Sequence, residues 1–375
     1  MFIEYDWQIM PLLLLAFVSV WSILLYKRKL GPNLIFVTCY LFLPVAYAET
    51  PTIQNSIEQI DPGRTAEELT PGQTPPLILN PEAIEIPKIT PLVIKTPDHK
   101  VSFKLNSITL KGNTVFSQAV LQKIYQDQIG QQITAADLVN IAAKLTAFYR
   151  DHGYILSQVI IPPQEIDKKG IATLQVIEGY ISAVNIQGNK SASVRKLLTK
   201  YGAQISKSRP LQAPILERFA LLANDIPGTS VKTVLTMSEN TSGAADLTFI
   251  VNEQRTNAAL GANNYNAPIL GPVQLNVSAY MNNLLQGSQT GLQSIASSTD
   301  SRLFYFALQH KQILRSNGLS GDCSFSNTKT KPDLTKIGLE DLYIPGEAFL
   351  FTTNVHYPMI RSRKENLILS GGFKY

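Results

Sequence analysis

The sequence predicts an α+β fold in which two tandem β-α-α-β-β units precede an incomplete antiparallel β-sheet of the transmembrane barrel type. The opening pattern ITLKGN at Ile108–Asn113 recurs as VNIQGN at Val184–Asn189. The closing pattern of the first unit, Leu174–Glu178, is echoed by Leu247–Glu253. A repeat of this kind is a strong indicator of fold. After about residue 255, helical periodicity ends and apolar residues alternate with polar or small ones.

The first unit contains two helical patterns between predicted strands at Phe103–Leu110 and Tyr154–Ile161. Ser117 is a candidate N-cap of the first helix. Thr134 and Asp137 form a variant of the capping box at the start of the second. Apolar residues at i, i+3, i+4 and i+7 then predict a helix face that packs in a core. They are Leu138, Ile141, Ala142, Leu145, Phe148 and Tyr149.

The second unit repeats these features with different residues. Two apolar stripes predict its helices, and Asn224–Gly228 has the composition of a turn that leads back to the sheet. The next segment, Thr229–Met237, is predicted to be a strand. The stripe residues are Val194, Leu197, Leu198 and Tyr201 on the first helix and Ile215, Phe219 and Leu222 on the second.

Beyond residue 255, about seven segments of roughly ten residues show the alternation of outer-membrane strands. One face of each is often Gly, Ser, Thr or Asn, which suits a wet lumen, while the other face is apolar. Since hydrocarbon cannot satisfy backbone polar groups, a closed barrel pairs them all. Short turns are predicted at 285–287, 315–318 and 361–364, and a long loop at 329–345. The segments are Thr256–Asn263, Pro272–Asn282, Ser288–Ser298, Ser301–His310, Leu319–Thr328, Gly346–Tyr357 and Glu365–Tyr375.

The N-terminal region has the features of an export signal. A basic cluster at Lys27–Lys29 precedes an apolar run, and Ala46–Ala48 is an A-x-A cleavage site. An earlier apolar run at Pro11–Leu25 leaves three interpretations open: an extended signal, a true translation start near residue 25, or a short membrane span. Residues 49–100 are rich in proline and predict an extended tether.

Composition argues against several classes of function. The net charge of +5 is mild, and no basic stripe interleaved with aromatic residues suggests nucleic-acid binding. Cys39 lies in the predicted export segment, which leaves Cys323 without a disulfide partner. The four histidines are scattered, and no phosphate-binding loop or catalytic motif is present. We expect no catalytic, cofactor-binding or metal-binding residues, no nucleotide and no enzyme activity.

The motifs resemble those of the outer-membrane transporters of two-partner secretion, of the hemolysin secretion/activation type. Asp61–Arg64 is similar to the segment after the family's signal peptide, where a plug helix precedes the repeats. Gly153-Tyr154 through Gln164, with Val176–Gly179, resembles a first POTRA domain, and Asp225–Gly228 a second. Barrel-like motifs occur at Asn263–Tyr265, Asn282–Gly287 and Tyr357–Arg363.

The resemblance implies five regions. They are an export segment (1–48), a Pro-rich linker with a possible short plug helix (49–100), POTRA 1 (101–179), POTRA 2 (180–254) and the N-terminal part of a barrel (255–375). Seven segments are fewer than the roughly eight strands of the smallest single-chain barrels, and the family's Val-Arg-Gly-Tyr motif is absent. We therefore expect a C-terminally truncated member.

The resemblance also implies a location and a partner. The POTRA domains stand in the periplasm, the barrel contacts outer-membrane lipid, and a large exoprotein passes through in extended form. Capture by strand addition, in which an extended segment pairs with an exposed sheet edge, is expected at Tyr154–Ile161 and Thr229–Met237. The candidate partner-binding residues are Tyr154, Leu156, Val159, Ile160, Ile161, Val231 and Val234. Two alternatives remain: a periplasmic POTRA binding or chaperone module, and a barrel-assembly factor.

Overall fold

The structure is a computed structural model. It describes residues 84–85, 102–166, 169–238, 241–264, 268–297, 301–337 and 344–375, all within one compact unit, Asn55–Tyr375. The predicted export segment, the possible plug helix and the linker, apart from Ile84–Glu85, lie outside the described residues. Among the residues described, no helix has both the length and the apolar character needed to cross a bilayer.

The first unit combines a three-stranded sheet, a separate strand pair and two helices. In the sheet, Ser107–Lys111 pairs in parallel with Ile171–Ile177, which pairs antiparallel with Gln158–Ile160. Ser102–Lys104 pairs instead with Gln132–Thr134. Strands are numbered along the chain from β1 (Ile84–Glu85), which belongs to the sheet of the second unit. The elements are β2 (Ser102–Lys104), β3 (Ser107–Lys111), α1 (Gln118–Gln122), β4 (Gln132–Thr134), α2 (Ala135–Asp151), β5 (Gln158–Ile160) and β6 (Ile171–Ile177). A 3₁₀ turn spans Gln126–Gln128.

Two strands of this unit differ from the sequence-based expectation. The segment Phe103–Leu110 is two strands, because the chain crosses from one strand pair to the other at Leu105, whose N–H donates to Gln131, and Asn106, whose N–H donates to Gly170. The segment Tyr154–Ile161 is strand only at Gln158–Ile160. Its first residues form turns, in which Ser157 N–H donates to the carbonyl of Tyr154.

α2 begins as the sequence predicts. The Thr134 hydroxyl accepts from Asp137 N–H at 3.3 Å, and the Asp137 carboxylate accepts from Thr134 N–H at 2.8 Å. The Asp137 carboxylate accepts from the backbone N–H of Thr134 and also from its hydroxyl, at 2.8 Å, and these two hydrogen bonds lower the pKa of Asp137 below its ordinary value. The predicted apolar stripe faces the core, with Leu138, Ile141, Ala142, Leu145 and Tyr149 buried.

The second unit has the same topology as the first. Its first strand pairs in parallel with its third, which pairs antiparallel with its second. A further two-residue strand, β1 (Ile84–Glu85), pairs in parallel with the outer side of the second strand. The elements are β7 (Tyr180–Asn189), α3 (Ala192–Ser206), α4 (Ala213–Asn224), β8 (Thr229–Met237) and β9 (Ala244–Glu253), so the predicted strand at Thr229–Met237 is confirmed.

The repeated glycine of the opening pattern has the same role in both units. Gly112 and Gly188 have φ of +83° and +90°, in the left-handed region that favours glycine. A Cβ on Gly112 would lie 2.5 Å from the carbonyl oxygen of Val176, and one on Gly188 would overlap with that of Val251. In each unit, glycine therefore allows the first strand to pack closely against the third.

The remaining residues form a seven-stranded antiparallel sheet in which every strand pairs with the next in sequence. All seven predicted segments are strands, so the predicted fold class is confirmed. The sixth strand continues to Arg361, four residues beyond its predicted end at Tyr357, and the turn after it lies at Ser362–Glu365 instead of the predicted 361–364. The strands are β10 (Thr256–Asn263), β11 (Gln274–Asn282), β12 (Ser288–Ser297), β13 (Leu303–Ile313), β14 (Ser320–Thr330), β15 (Gly346–Arg361) and β16 (Asn366–Lys374).

Candidate functional site

The seven-stranded sheet has one apolar and one polar face. The register places Leu275, Leu292, Phe325 and Phe349 on one side, where large apolar side chains are exposed. The exposed fraction reaches 59% at Phe349 and 84% at Leu260. Since an apolar surface of this extent is unfavourable in water, the face is suited to a lipid environment. The opposite side carries mainly amide and hydroxyl groups, including Asn276, Ser278, Gln293, Gln309, Ser324 and Thr352.

A hydrogen-bond network links three strands on the polar face. Asp322 of β14 contacts His356 of β15, with Oδ1 2.6 Å from Nε2. The other ring nitrogen of His356 lies 2.8 Å from Ser370 Oγ on β16, and Asn354 Nδ2 donates to Asp322 Oδ2 at 2.9 Å. This network gives cross-strand support where polar groups can also be hydrated.

The edge of the first unit, β5, offers little room for strand addition. It has three residues and pairs with β6 on one side. On its other side, Val159 N–H already donates to the Thr146 hydroxyl of α2 at 2.9 Å. An added strand would have to displace this bond, so α2 protects the edge.

The edge of the second unit, β8, is longer and partly open. The Asn224 side chain occupies its first part, because the amide donates to Val231 C=O at 2.8 Å and accepts from Val231 N–H at 2.9 Å. Backbone groups in an antiparallel pair alternate between facing the partner and facing away. The backbone N–H and C=O groups of Thr233, Leu235 and Met237 therefore point to the same side as those of Val231. β1 pairs there in the register Ile84↔Thr233 and Glu85↔Val234.

The predicted partner-binding residues do not form one exposed patch. The side chains of Leu156, Val159 and Val231 are buried in cores. Tyr154 is half-buried in an aromatic cluster with Phe116, at a ring-centroid distance of 5.7 Å. Ile160, Ile161 and Val234 are half-buried. Strand addition uses the backbone, so burial of these side chains does not by itself close an edge.

The junction of the two units is tightly packed. Leu156, with 0% exposure, lies in the core of the second unit. Leu211 N–H donates to Gly179 C=O and Ala213 N–H to Gly153 C=O, each at 2.8 Å. Residues 153–157 therefore fix the second unit against the first.

α4 docks the second unit on the ends of the sheet strands. Arg218 donates to the carbonyls of Asn317, Pro358 and Met359 at 2.7–3.2 Å. The carboxylate of Asp225 accepts from Arg361. On the other side of the unit, Asn283 Nδ2 donates to Pro227 C=O at 2.8 Å. These contacts orient the β8 edge relative to the sheet.

Sequence reasoning missed three features of this site: Asn224 as a cover of β8, Thr146 as a cover of β5, and the pairing of Ile84–Glu85. The composition of Asn224–Gly228 indicated only a turn. No local pattern marks an amide that pairs with a backbone seven residues away. Within the described part of the chain, no group of three or more metal-ligating side chains converges.

Residues 103–179 match the family described as "POTRA domain, ShlB-type". The heme/hemopexin transporter protein HuxB of Haemophilus influenzae strain 86-028NP is 26% identical over 165 residues, which are 44% of this chain and 29% of HuxB. HuxB of strain Rd matches with the same identity and coverage.

Among solved structures, CdiB from Escherichia coli superposes with a TM-score of 0.57 at 18% identity. The match covers 77% of this chain and 53% of CdiB, and it shows a shared fold. The chain thus spans less than a third of HuxB and about half of CdiB.

Proposed function

We propose that this chain, which carries a ShlB-type POTRA domain and is a relative of the two-partner secretion transporters, exports a partner exoprotein across the outer membrane. The POTRA units stand in the periplasm, and the seven-stranded sheet contributes to the pore wall. The partner arrives unfolded and leaves in extended form. No nucleotide is required, because folding of the exoprotein outside the cell supplies the driving force.

The observation that carries this proposal is the pairing of β1 with β8. An extended segment of the chain already adds to this edge, so its geometry is compatible with strand addition. Beyond the residues that β1 covers, Leu235 and Met237 direct their backbone groups to this outer side, and a partner can pair there through its backbone without a specific sequence. A transporter of long unfolded chains must bind segments of many different sequences.

The orientation of β8 supports the same route. β8 pairs along its length with β9, and β9 leads through Gln254 and Arg255 into β10 of the sheet. A partner paired with β8 therefore lies close to the sheet ends, held there by the α4 contacts. We assign capture mainly to β8, since Thr146 covers the β5 edge.

A backbone substitution at the open end of β8 tests the capture step. Met237→Pro removes one outward N–H, whereas Met237→Ala shortens the side chain and keeps the N–H. The probe is the unfolded N-terminal fragment of a large exoprotein sought in the genes that neighbour the one for this chain. We expect the proline variant to bind it at least about fivefold more weakly, which corresponds to one lost hydrogen bond, and the alanine variant to bind normally. Equal binding by both variants would exclude this edge.

Fractionation tests the membrane step separately. The full chain should fractionate with outer membranes as a folded band whose electrophoretic mobility changes on heating. A soluble periplasmic species would contradict the pore assignment and favour a module that only binds.

A further inference from the structure

The outward face of α3 is strongly basic. The helix Ala192–Ser206 contains no acidic residue. Arg195, Lys196 and Lys200 are exposed on one side and, with Ala192 and Thr199, line a shallow groove of ≈ 470 Å³. Its opposite side, which includes Val194, Leu197, Leu198 and Tyr201, packs in the core. The packing thus fixes the orientation of the basic groups without using them.

The groove lies at the end of the second unit that adjoins the sheet. Ser191, the N-cap of α3, donates from its backbone N–H to the carboxylate of Glu253, the last residue of β9. Arg255 follows and is exposed, and β10 begins at Thr256. Leu260, on the apolar face of β10, is only about 17 Å along the strand from Arg255 at the usual rise per residue.

Five basic side chains lie at this end of the second unit. Lys190, Arg195, Lys196, Lys200 and Arg255 cluster there, and none of them forms an ion pair with a carboxylate in the part of the chain that the structure describes. Two carboxylates at the same end already have partners. Glu253 accepts from Ser191, and Asp225 accepts from Arg361. The basic groups therefore remain available to an external anion.

We propose that this basic groove, together with Lys190 and Arg255, binds the phosphate groups of anionic phospholipids in the leaflet next to the second unit. The sheet immediately beyond it has a lipid-facing apolar surface, so headgroups lie within reach. Guanidinium groups bind phosphate with two parallel hydrogen bonds, and lysines add charge. The contact fixes the second unit against the membrane, and it requires neither an exoprotein nor transport.

Lysine footprinting of the full chain in lipid nanodiscs tests this. The discs contain phosphatidylcholine alone, or phosphatidylcholine with about 30 mol% phosphatidylglycerol, and an amine-acylating reagent is followed by mass spectrometry. Lys190, Lys196 and Lys200 should react about fivefold more slowly in the anionic discs, and about 0.5 M salt should remove most of the difference. Lys123 and Lys144, exposed on the first unit, should react equally in both discs.

A charge-reversed variant provides the second measurement. Arg195→Glu with Lys196→Glu should abolish the protection of Lys190 and Lys200, whereas the matched change Lys123→Glu with Lys144→Glu should leave it intact. All four positions are exposed, so the fold tolerates both changes. Equal acylation in the two kinds of disc would overturn the proposal. Protection by polyglutamate added to phosphatidylcholine discs, without an effect of phosphatidylglycerol, would assign the groove to an acidic polypeptide instead.

Discussion

The guanidinium group of Arg361 donates two hydrogen bonds to the carboxylate of Asp225, from Nε to Oδ2 at 2.9 Å and from Nη2 to Oδ1 at 2.7 Å. The pair joins the C-cap of α4 to the end of β15. The side chain of Arg361 is 5% exposed and that of Asp225 is 41% exposed. Breaking the pair is therefore unfavourable mainly because it leaves a buried guanidinium without its carboxylate partner.

Asp225→Ala should destabilise the docking of the second unit by about 2 kcal/mol, because a charged hydrogen-bond partner of Arg361 is lost. Arg361→Lys should have a smaller effect, since a lysine keeps the charge but cannot bind in the bidentate geometry. Thermal unfolding of the full chain in detergent, with hydrogen exchange along α4, measures both. Asp127, exposed in the first unit, provides the control Asp127→Ala. An unchanged exchange rate in α4 of the Asp225 variant would show that the contacts of Arg218 and Glu217 hold the helix without the ion pair.

Two glutamates lie at matching positions of the repeat. In each unit, the glutamate connects the end of the third strand to the segment that follows the first strand. Glu253 accepts from the backbone N–H and the hydroxyl of Ser191, and Glu178 accepts from Thr114, Val115 and Tyr149. Burial, and next the carboxylate of Glu178, raise the pKa of Tyr149, so its hydroxyl stays protonated and donates.

Replacing either glutamate with alanine should destabilise the unit that contains it. We expect Glu253→Ala to lower the free energy of unfolding of the second unit by about 2–3 kcal/mol, because the N–H of Ser191 is left buried without an acceptor. Glu178→Ala should affect the first unit in the same direction. Hydrogen exchange resolved by unit measures this, and Glu165→Ala is the exposed control. Loss of protection spread equally over both units would contradict the separate roles.

The sequence predicted features that depend on local periodicity, and it could not predict pairs that are distant in the chain. Seven strands followed from alternation with period two, and the Thr134–Asp137 cap from a spacing of three residues. The contact of Arg361 with Asp225 spans 136 residues, and that of Glu253 with Ser191 spans 62. A charged residue has the same appearance in a sequence whether it is solvated or paired. The predicted strand at Tyr154–Ile161 was longer than the observed Gln158–Ile160. The neighbouring apolar residues, which resembled strand residues in the sequence, pack in loops and in the next unit.

The cap of α2 should make the first unit sensitive to acid. The Asp137 pKa is lower in the folded protein than in the unfolded chain, so its stabilising effect is fully present above the unfolded pKa, near 3.9. The effect is lost as the pH falls through the folded pKa. Amide exchange in the first turn of α2, corrected for intrinsic rates, should therefore accelerate below about pH 4. Asp137→Asn should lose this acid dependence, and Asp151→Asn, at the other end of the helix, should retain it.

β1 should compete with the proposed exoprotein partner for the same edge of β8. The register Ile84↔Thr233 and Glu85↔Val234 covers the start of the segment Thr233–Met237, so a partner that pairs along the whole segment must displace β1. Replacing both Ile84 and Glu85 with proline removes the donors of β1, while replacing both with alanine keeps them.

The proline variant should expose Thr233 to faster hydrogen exchange and bind the exoprotein fragment about two- to tenfold more tightly, as expected for one or two hydrogen bonds released from competition. The alanine variant should stay close to the unmodified chain. Faster exchange without tighter binding would separate the two steps, because it would show that β1 covers the edge but that the exoprotein pairs elsewhere. Unchanged exchange would mean that β1 does not protect Thr233 in solution.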